Sequence, residues 1–301
     1  KYLIEKYLGV TISKEIREEI PELGLTIPVI DYALDDVKYL TNIMYKQMVE
    51  IQHYELEHAL ALDNKFVKVL AYVEFSGMGF DKERWLKKCQ EDINGYWGKD
   101  ENKQDIYVKG IKEIEREMDE MVISLNLKKY FNFADLFCEN PIIVDGVGYS
   151  TIINWASDKQ VGKLFKDLGI DITIEEDGVL KESVGVKVLS QKKGEHPLVA
   201  LYATWVKRAK LISSFGETYL RFVNESTNRV HTSYKQILNT GRMSSGNTRQ
   251  NKPNLQQVPS DERHRDCFVS EVGNDLIAAD YTGQESVIFA NKTLAEGLLE
   301  F

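Results

Sequence analysis

Residues 275–291, DLIAADYTGQESVIFAN, join an apolar run, a carboxylate, a turn and a stretch of helical spacing. The run predicts a short strand with Asp280 at its C-terminal edge. A hard cation such as Mg²⁺ can be held there by one or two carboxylates together with substrate phosphates. The same residues admit a plainer reading, in which Thr282 to Glu285 is a T-x-x-E capping box and Asp280 decorates a turn. Upstream, His231 to Gln257 combines many side-chain donors with little hydrophobic mass. Between 229 and 265 the basic residues are Arg229, Lys235, Arg242, Arg249, Lys252, Arg263 and Arg265, against only Asp261 and Glu262. Such arginines, with nearby serines, asparagines and glutamines, are donors for phosphate oxygens and for minor-groove acceptors of a duplex. A solvated surface loop is the alternative. In the first third, Tyr32 and Asp36 stand four apart on one helical face. A nuclease can use such a pair to orient water and bind a metal, although the spacing also arises by chance.

The elements that must position these groups are mostly helical. Val29, Ala33, Val37, Leu40, Met44, Met48 and Ile51 recur at steps of three and four, which predicts one long amphipathic helix opened by Pro28. Leu62, Phe66, Val69, Leu70 and Val73 predict a second helix that breaks at SGMG, residues 76–79, before Asp81 caps a third. Ile111, Ile114, Met118, Met121 and Leu125 mark a solvated helix with one buried stripe. Asp145-Gly146 within IIVDGVGYSTI predicts a hairpin. Ser157 to Gln160 reads as a capping box for a helix ending at Gly169. A long helix from Pro197 is expected to carry Leu198, Leu201, Trp205, Ile212, Phe215, Tyr219 and Phe222 on its apolar side. RVHTSY and DLIAAD read as strands.

The 301 residues, 43% hydrophobic and 28% charged, suffice for two or three domains with real cores. A net charge of −9 argues against holding nucleic acid by bulk charge, so any such binding must be local. Three widely spaced cysteines suggest neither disulfides nor zinc, and no run approaches the roughly 18 apolar residues of a membrane helix. A cytoplasmic, monomeric protein is expected. The start at Lys1 and the closing AEGLLEF read as the ends of an excised piece.

Taken jointly, RVHTSYKQILNTGRMSS, PNLQQVP and ADYTGQES resemble family A DNA polymerases of the bacterial DNA polymerase I type, in a phage-like form. The resemblance implies that Asp280 is a metal ligand of the palm, Glu285 the steric gate against a ribose 2′-hydroxyl, and Tyr281 part of the nucleotide pocket. It places Arg242, Asn254 and Gln256 on the duplex, with His231, Ser244, Ser245, Arg249 and Lys252 in the same interface. INWASDKQVGKLFKDLGI and EHPLVALYATWVKRAKLISSF are similar to thumb segments, which sets Lys210 near the duplex backbone. YLGVTISKE with DYALDDVKYL resembles the end of a DnaQ-like 3′–5′ exonuclease, in which Tyr32 aligns a water and Asp36 binds metal.

The implied fold is α+β and predominantly helical. Residues 1–58 would close an exonuclease-like domain, 59–228 form a helical thumb with a charged insertion at about 91–153, and 229–301 open an antiparallel palm. The implied partners are primer–template DNA and deoxynucleoside triphosphates, with two Mg²⁺ ions, in replication or repair with linked proofreading. Two departures stand out: Val287 sits where the family usually has arginine, and the 246–252 loop is longer, adding Arg249 and Lys252. Later motifs carrying a second palm carboxylate and the fingers helix are not found, so the chain alone is expected to bind primer–template weakly and to be inactive. The rival readings are an RNase D-like exonuclease and a non-catalytic DNA-binding module.

Overall fold

The computed structural model describes residues 1–135, 138–176 and 178–293; the closing segment 294–301 lies outside them. Helices and small antiparallel sheets make an α+β chain of two compact units, residues 1–75 and 76–301.

The first unit is helical: α1 (Tyr2–Leu8), α2 (Ile16–Leu23), α3 (Ile27–Lys38), α4 (Leu40–His53) and α5 (Glu57–Ser76), whose last residue opens the next unit. The single long helix expected from Val29 to Ile51 is in fact two, parted at Tyr39. Periodicity alone could not reveal the break. Tyr39 packs against the Ile4, Ile12 and Ile43 cluster formed where α1 meets α4, so tertiary packing overrides a continuous pattern. Ile43 is thereby buried, whereas Val37, Leu40 and Met44 of the expected stripe remain more than half exposed.

The second unit begins with β1 (Met78–Phe80), a strand that the SGMG reading missed, and α6 (Lys82–Asn94), whose Asp81 cap accepts from the Arg84 N–H at 3.0 Å. A hairpin of β2 (Tyr96–Lys99) and β3 (Asp105–Val108) follows, then α7 (Ile111–Ser124). Next come β4 (Phe131–Phe133), β5 (Ile142–Val144) and β6 (Val147–Thr151), paired in the order β4-β6-β5. The β5–β6 turn is the predicted one, with Asp145 and Gly146 at φ 52° and 77°, which suits that dipeptide. α8 (Asp158–Asp167) lacks the expected box: Ser157 makes no side-chain cap, and the Gln160 carboxamide accepts instead from the Asn154 N–H. β7 (Thr173–Glu176), β8 (Val179–Glu182) and α9 (Val186–Lys192) lead to α10 (Pro197–Phe215). That helix stops short of Tyr219 and Phe222, which lie on a 3₁₀ turn after Gly216.

Two cores result. α7 contributes Ile114, Met118 and Val122, α8 Val161, Leu164 and Phe165, and α10 Leu198, Tyr202 and Trp205 to the larger. Its tryptophans keep polar ends satisfied: Trp155 donates to Asp119 and Trp205 to Glu115. The smaller core, with Phe80, Trp85, Tyr219, Val223 and Val230, underlies a sheet ordered β13-β1-β10-β9. Here β9 (Val223–Asn224), β10 (Arg229–Val230) and, beyond residues 231–267, β13 (Phe268–Val269) are two-residue strands. Gly79 of β1 is required at this site, since a Cβ there would lie 2.4 Å from the Val269 carbonyl oxygen. Of the three cysteines, Cys89 and Cys267 are buried in this core, and burial pushes the Cys267 thiol up to about 11.

A buried charge cluster ties the elements of this unit together. Asp92, 1% exposed, lies 3.2 Å from Lys88, 3.6 Å from Arg208 and 2.9 Å from Arg263. Arg263 also stacks over Tyr96 at 3.6 Å. Asp261 caps the short helix α11 (Glu262–Arg265). His264, 3.3 Å away, and the Arg263 N–H hold its carboxyl well below the usual range.

Breaking a buried pair strands its partner, so Asp92→Ala is expected to cost about 3–5 kcal/mol in denaturant unfolding. Asp261→Asn should lower the melting temperature at pH 7. A depressed carboxyl stabilises fully above its ordinary pKa of about 3.9, so the deficit should shrink as the pH falls below that value. A deficit independent of pH would exclude this origin.

Candidate functional site

The basic region of the second unit is built from short pieces: β11 (Tyr234–Lys235), β12 (Ser244–Ser245), and 3₁₀ turns at Thr248–Gln250 and Leu255–Gln257. RVHTSY is therefore not one strand. It yields β10, an irregular His231–Ser233 stretch, and the start of β11, which pairs Tyr234 with Ser245 and Lys235 with Ser244. Residues 231–257 contain little to bury, so their shape comes from side chains bonding to backbone. Asn247 accepts from the Gln250 N–H, and Asn254 accepts from the Gln256 N–H, each capping its own turn. Gly246, at φ 101°, passes so close to Asn254 that a Cβ would sit 3.1 Å from it. The added segment is anchored by a bridge between Asn247 and Lys252.

Asp280 is exposed at the end of 275–280, and that segment has no regular structure. The expected DLIAAD strand is not formed, because among the described residues no strand pairs with it and an apolar run without a ladder partner cannot become one. The helix starts one residue later than a T-x-x-E box opened by Thr282 would set it. α12 (Gln284–Thr293) begins after Gly283, and the Glu285 carboxylate turns outward to accept from the Arg242 guanidinium at 3.2 Å. This contact joins the basic loop to the first turn of α12, five residues beyond Asp280. Both partners are largely exposed, at 79% and 89%, so the pair is worth under about 1 kcal/mol.

Ser244, Ser245, Asn254, Gln256 and Arg242 are thus gathered in one loop system, with Arg249 exposed on the 248–250 turn. His231 lies against Gly77. Tyr281 is exposed beside Asp280. Lys210 stands exposed on α10. Sequence reasoning missed Thr232, which is buried and joins three segments of this loop; a threonine in a β-branched stretch gives no outward signal.

Tyr32 and Asp36 share a face of α3 in the first unit, as their spacing required. A residue not foreseen, Lys14, bridges them: its ammonium donates to the Asp36 carboxylate and to the Tyr32 hydroxyl at 3.3 Å, and lies 4.9 Å from the Tyr32 ring centroid. Lys14 thereby holds the Asp36 carboxyl below the ordinary range, and its own pKa is raised in return. Asp36 already has a cation as partner and does not fit a ready metal ligand. Asp280 fits better as a single exposed hard ligand. Among the described residues no group of three or more His, Cys, Asp or Glu is placed to hold a metal.

The profile of DNA polymerase family A matches residues 143–301. DNA polymerase I of Borreliella burgdorferi is 33% identical over 54% of this chain and 17% of its own length. That of Synechocystis is 28% identical over 63% of this chain and 20% of its own. The chain thus spans a fifth or less of the length of these relatives. The polymerase domain of Pol1 from M. smegmatis, solved with DNA primer–template and dNTP, shares the fold at a TM-score of 0.63 and 21% identity, over 99% of this chain and 43% of that one. The match takes in the polar loop, Asp280 and Glu285, and by it the chain belongs to DNA polymerase family A.

Proposed function

We propose that these residues serve template-directed DNA synthesis, in a polymerase that transfers nucleotides to a primer 3′-hydroxyl. The observation that carries the reading is the convergence of the rigid basic loop on the start of α12 through Arg242 and Glu285, next to Asp280. Residues 59–228 would act as thumb and 229–301 as the opening of the palm. The family match supports this over an RNase D-like exonuclease, since residues 143–301 lie beyond the Tyr32 and Asp36 stretch on which that reading stood.

In this reading the loop holds the primer–template minor groove. Arg242 and the Ser244, Asn254 and Lys252 region supply donors, and Lys210 meets the backbone further along. Asp280 would hold Mg²⁺, which when bound supplies charge stabilisation to the attacking and leaving oxygens. Tyr281 and Glu285 would border the nucleotide, with Glu285 closing the space that a ribose 2′-hydroxyl needs. Entry of the duplex must draw Arg242 off Glu285, and so weak an exposed pair presents little barrier. Proofreading by the first unit would bring a metal to a carboxylate that already has one oxygen engaged by Lys14, so the two cations would compete for its charge.

The chain is expected to bind a primer–template duplex with salt-sensitive affinity and not to extend the primer, since Asp280 alone cannot hold a metal pair. Arg242→Ala should weaken binding and lower the slope of log affinity against log salt by about one if Arg242 meets a phosphate. In the full-length polymerase, Asp280→Ala should abolish extension while leaving duplex affinity close to wild type. Binding by Arg242→Ala indistinguishable from wild type at low salt, or extension by Asp280→Ala, would refute these roles. In Lys14→Met the Asp36 carboxyl should titrate at higher pH, moving towards about 3.9. Carboxyl ¹³C shifts read that midpoint, and an unmoved value would mean the ion pair does not form in solution.

A further inference from the structure

Thr232 and Ser245 are the buried hydroxyls of the loop system, 4% and 5% exposed. Their hydrogen bonds can have only one direction. The Pro253 carbonyl can only accept, so the Thr232 hydroxyl, 2.6 Å away, donates to it and spends its single proton. The Ser245 hydroxyl, 2.8 Å from Thr232, must then be the donor between the two. Ser245 Oγ in turn accepts from the Leu255 N–H at 3.0 Å. The result is a relay from Leu255 N–H through Ser245 and Thr232 to the Pro253 carbonyl, closing residues 253–255 onto β12. Gln256 completes the attachment from outside. Its carboxamide oxygen accepts from the Ser245 N–H at 3.0 Å, and its nitrogen donates to the Met243 carbonyl at 3.3 Å.

Arg242 directly precedes this clamped stretch and is itself exposed. The backbone that follows it is anchored at Met243 and Ser245 by the Gln256 carboxamide, and the Ser245 hydroxyl is held in turn by Thr232. We propose that Thr232 and Gln256 are positioning residues for Arg242. On this view Gln256 acts through the backbone of 243–245, its amide being engaged at both ends, and not by reading a base edge. The inference rests on the duplex-binding reading above. A loop held in its bound shape loses less conformational freedom on association, so loosening it costs affinity without removing a contact.

The test is equilibrium binding of a labelled primer–template duplex to the chain, by fluorescence anisotropy across a salt series, with thermal melting as the folding control. Thr232→Val keeps the shape and removes the hydroxyl. It should weaken binding by roughly tenfold, equivalent to about 1.4 kcal/mol, and Thr232→Ser should restore it. Gln256→Ala, at an exposed position outside the core, should weaken binding with little change in melting and provides the measurement if Thr232→Val does not fold. In an Arg242→Ala background, both substitutions should lose most of their effect on affinity and on the salt slope. Full, additive losses in that background would overturn the proposal for either residue, since they would mean direct contact or a general structural defect. Unchanged affinity in Gln256→Ala and Thr232→Val, with Arg242→Ala weakened, would overturn it while leaving duplex binding intact. Absence of salt-sensitive binding by the wild-type chain would instead remove the reading on which it stands.

Discussion

A segment with almost nothing to bury cannot be held by the hydrophobic effect, and residues 241–257 are such a segment. Their order depends on the hydroxyl relay through Ser245 and Thr232 and on the carboxamide of Gln256. Each of these bonds contributes only about 1 kcal/mol net, but leaving a buried partner unmade costs about 1–3. That asymmetry gives a polar loop one shape. The relay is buried because Thr232 lies two residues beyond Val230 of β10, which is fully enclosed in the smaller core. The apolar part of the unit thus supports the polar part through this connection and through Leu255, which packs against the same core.

The same core explains how a chain of net charge −9 presents a basic surface. Not all seven basic residues between 229 and 265 face solvent. Arg263 is turned inward onto Asp92 and Tyr96, and Arg229 donates to the carbonyls of Ser76 and Gly77 and to Glu271. Those two serve the architecture. The charge left for a ligand is concentrated on Arg242, Arg249 and Lys252 and their neighbours, where polar side chains already order the backbone. A local count of charges therefore overstates the electrostatic attraction and understates the organisation behind it.

What could be read without coordinates was whatever local rules decide. The Asp145-Gly146 hairpin, the Asp81 cap and the break after Ser76 each follow from the conformational needs of one or two residues. Ile114 and Met118 of α7 are buried as the periodicity of the expected stripe requires, whereas its Leu125 is exposed and Val122, outside that stripe, is buried. Elements decided by distant partners were not legible. Tyr39 divides a helix because of Ile4 and Ile12, and β1 is a strand because Val230 and Phe268 flank it. DLIAAD has the composition of a strand but no ladder partner among the described residues. At the site, residue types pointed to Arg242, Asp280 and Glu285. Nothing in them disclosed that Arg242 meets Glu285, or that Lys14 bridges Tyr32 and Asp36, since both pairings arise from tertiary approach.

The two acidic positions differ in a way that bears on how each can work. Asp36 has a partner: the Lys14 ammonium, which also lies over the Tyr32 ring, donates to it, and a second cation must compete with that partner supplied by the same chain. Asp280 is exposed, and Glu285, five residues on, is engaged by an exposed arginine through a contact that water and salt screen. A carboxylate meant to receive a cation with its substrate gains from being left open, because any internal pairing must be broken first. Arg242 is instead attached to Glu285. On the proposed reading, a polyanion that recruits Arg242 would release the Glu285 carboxylate, five residues beyond Asp280.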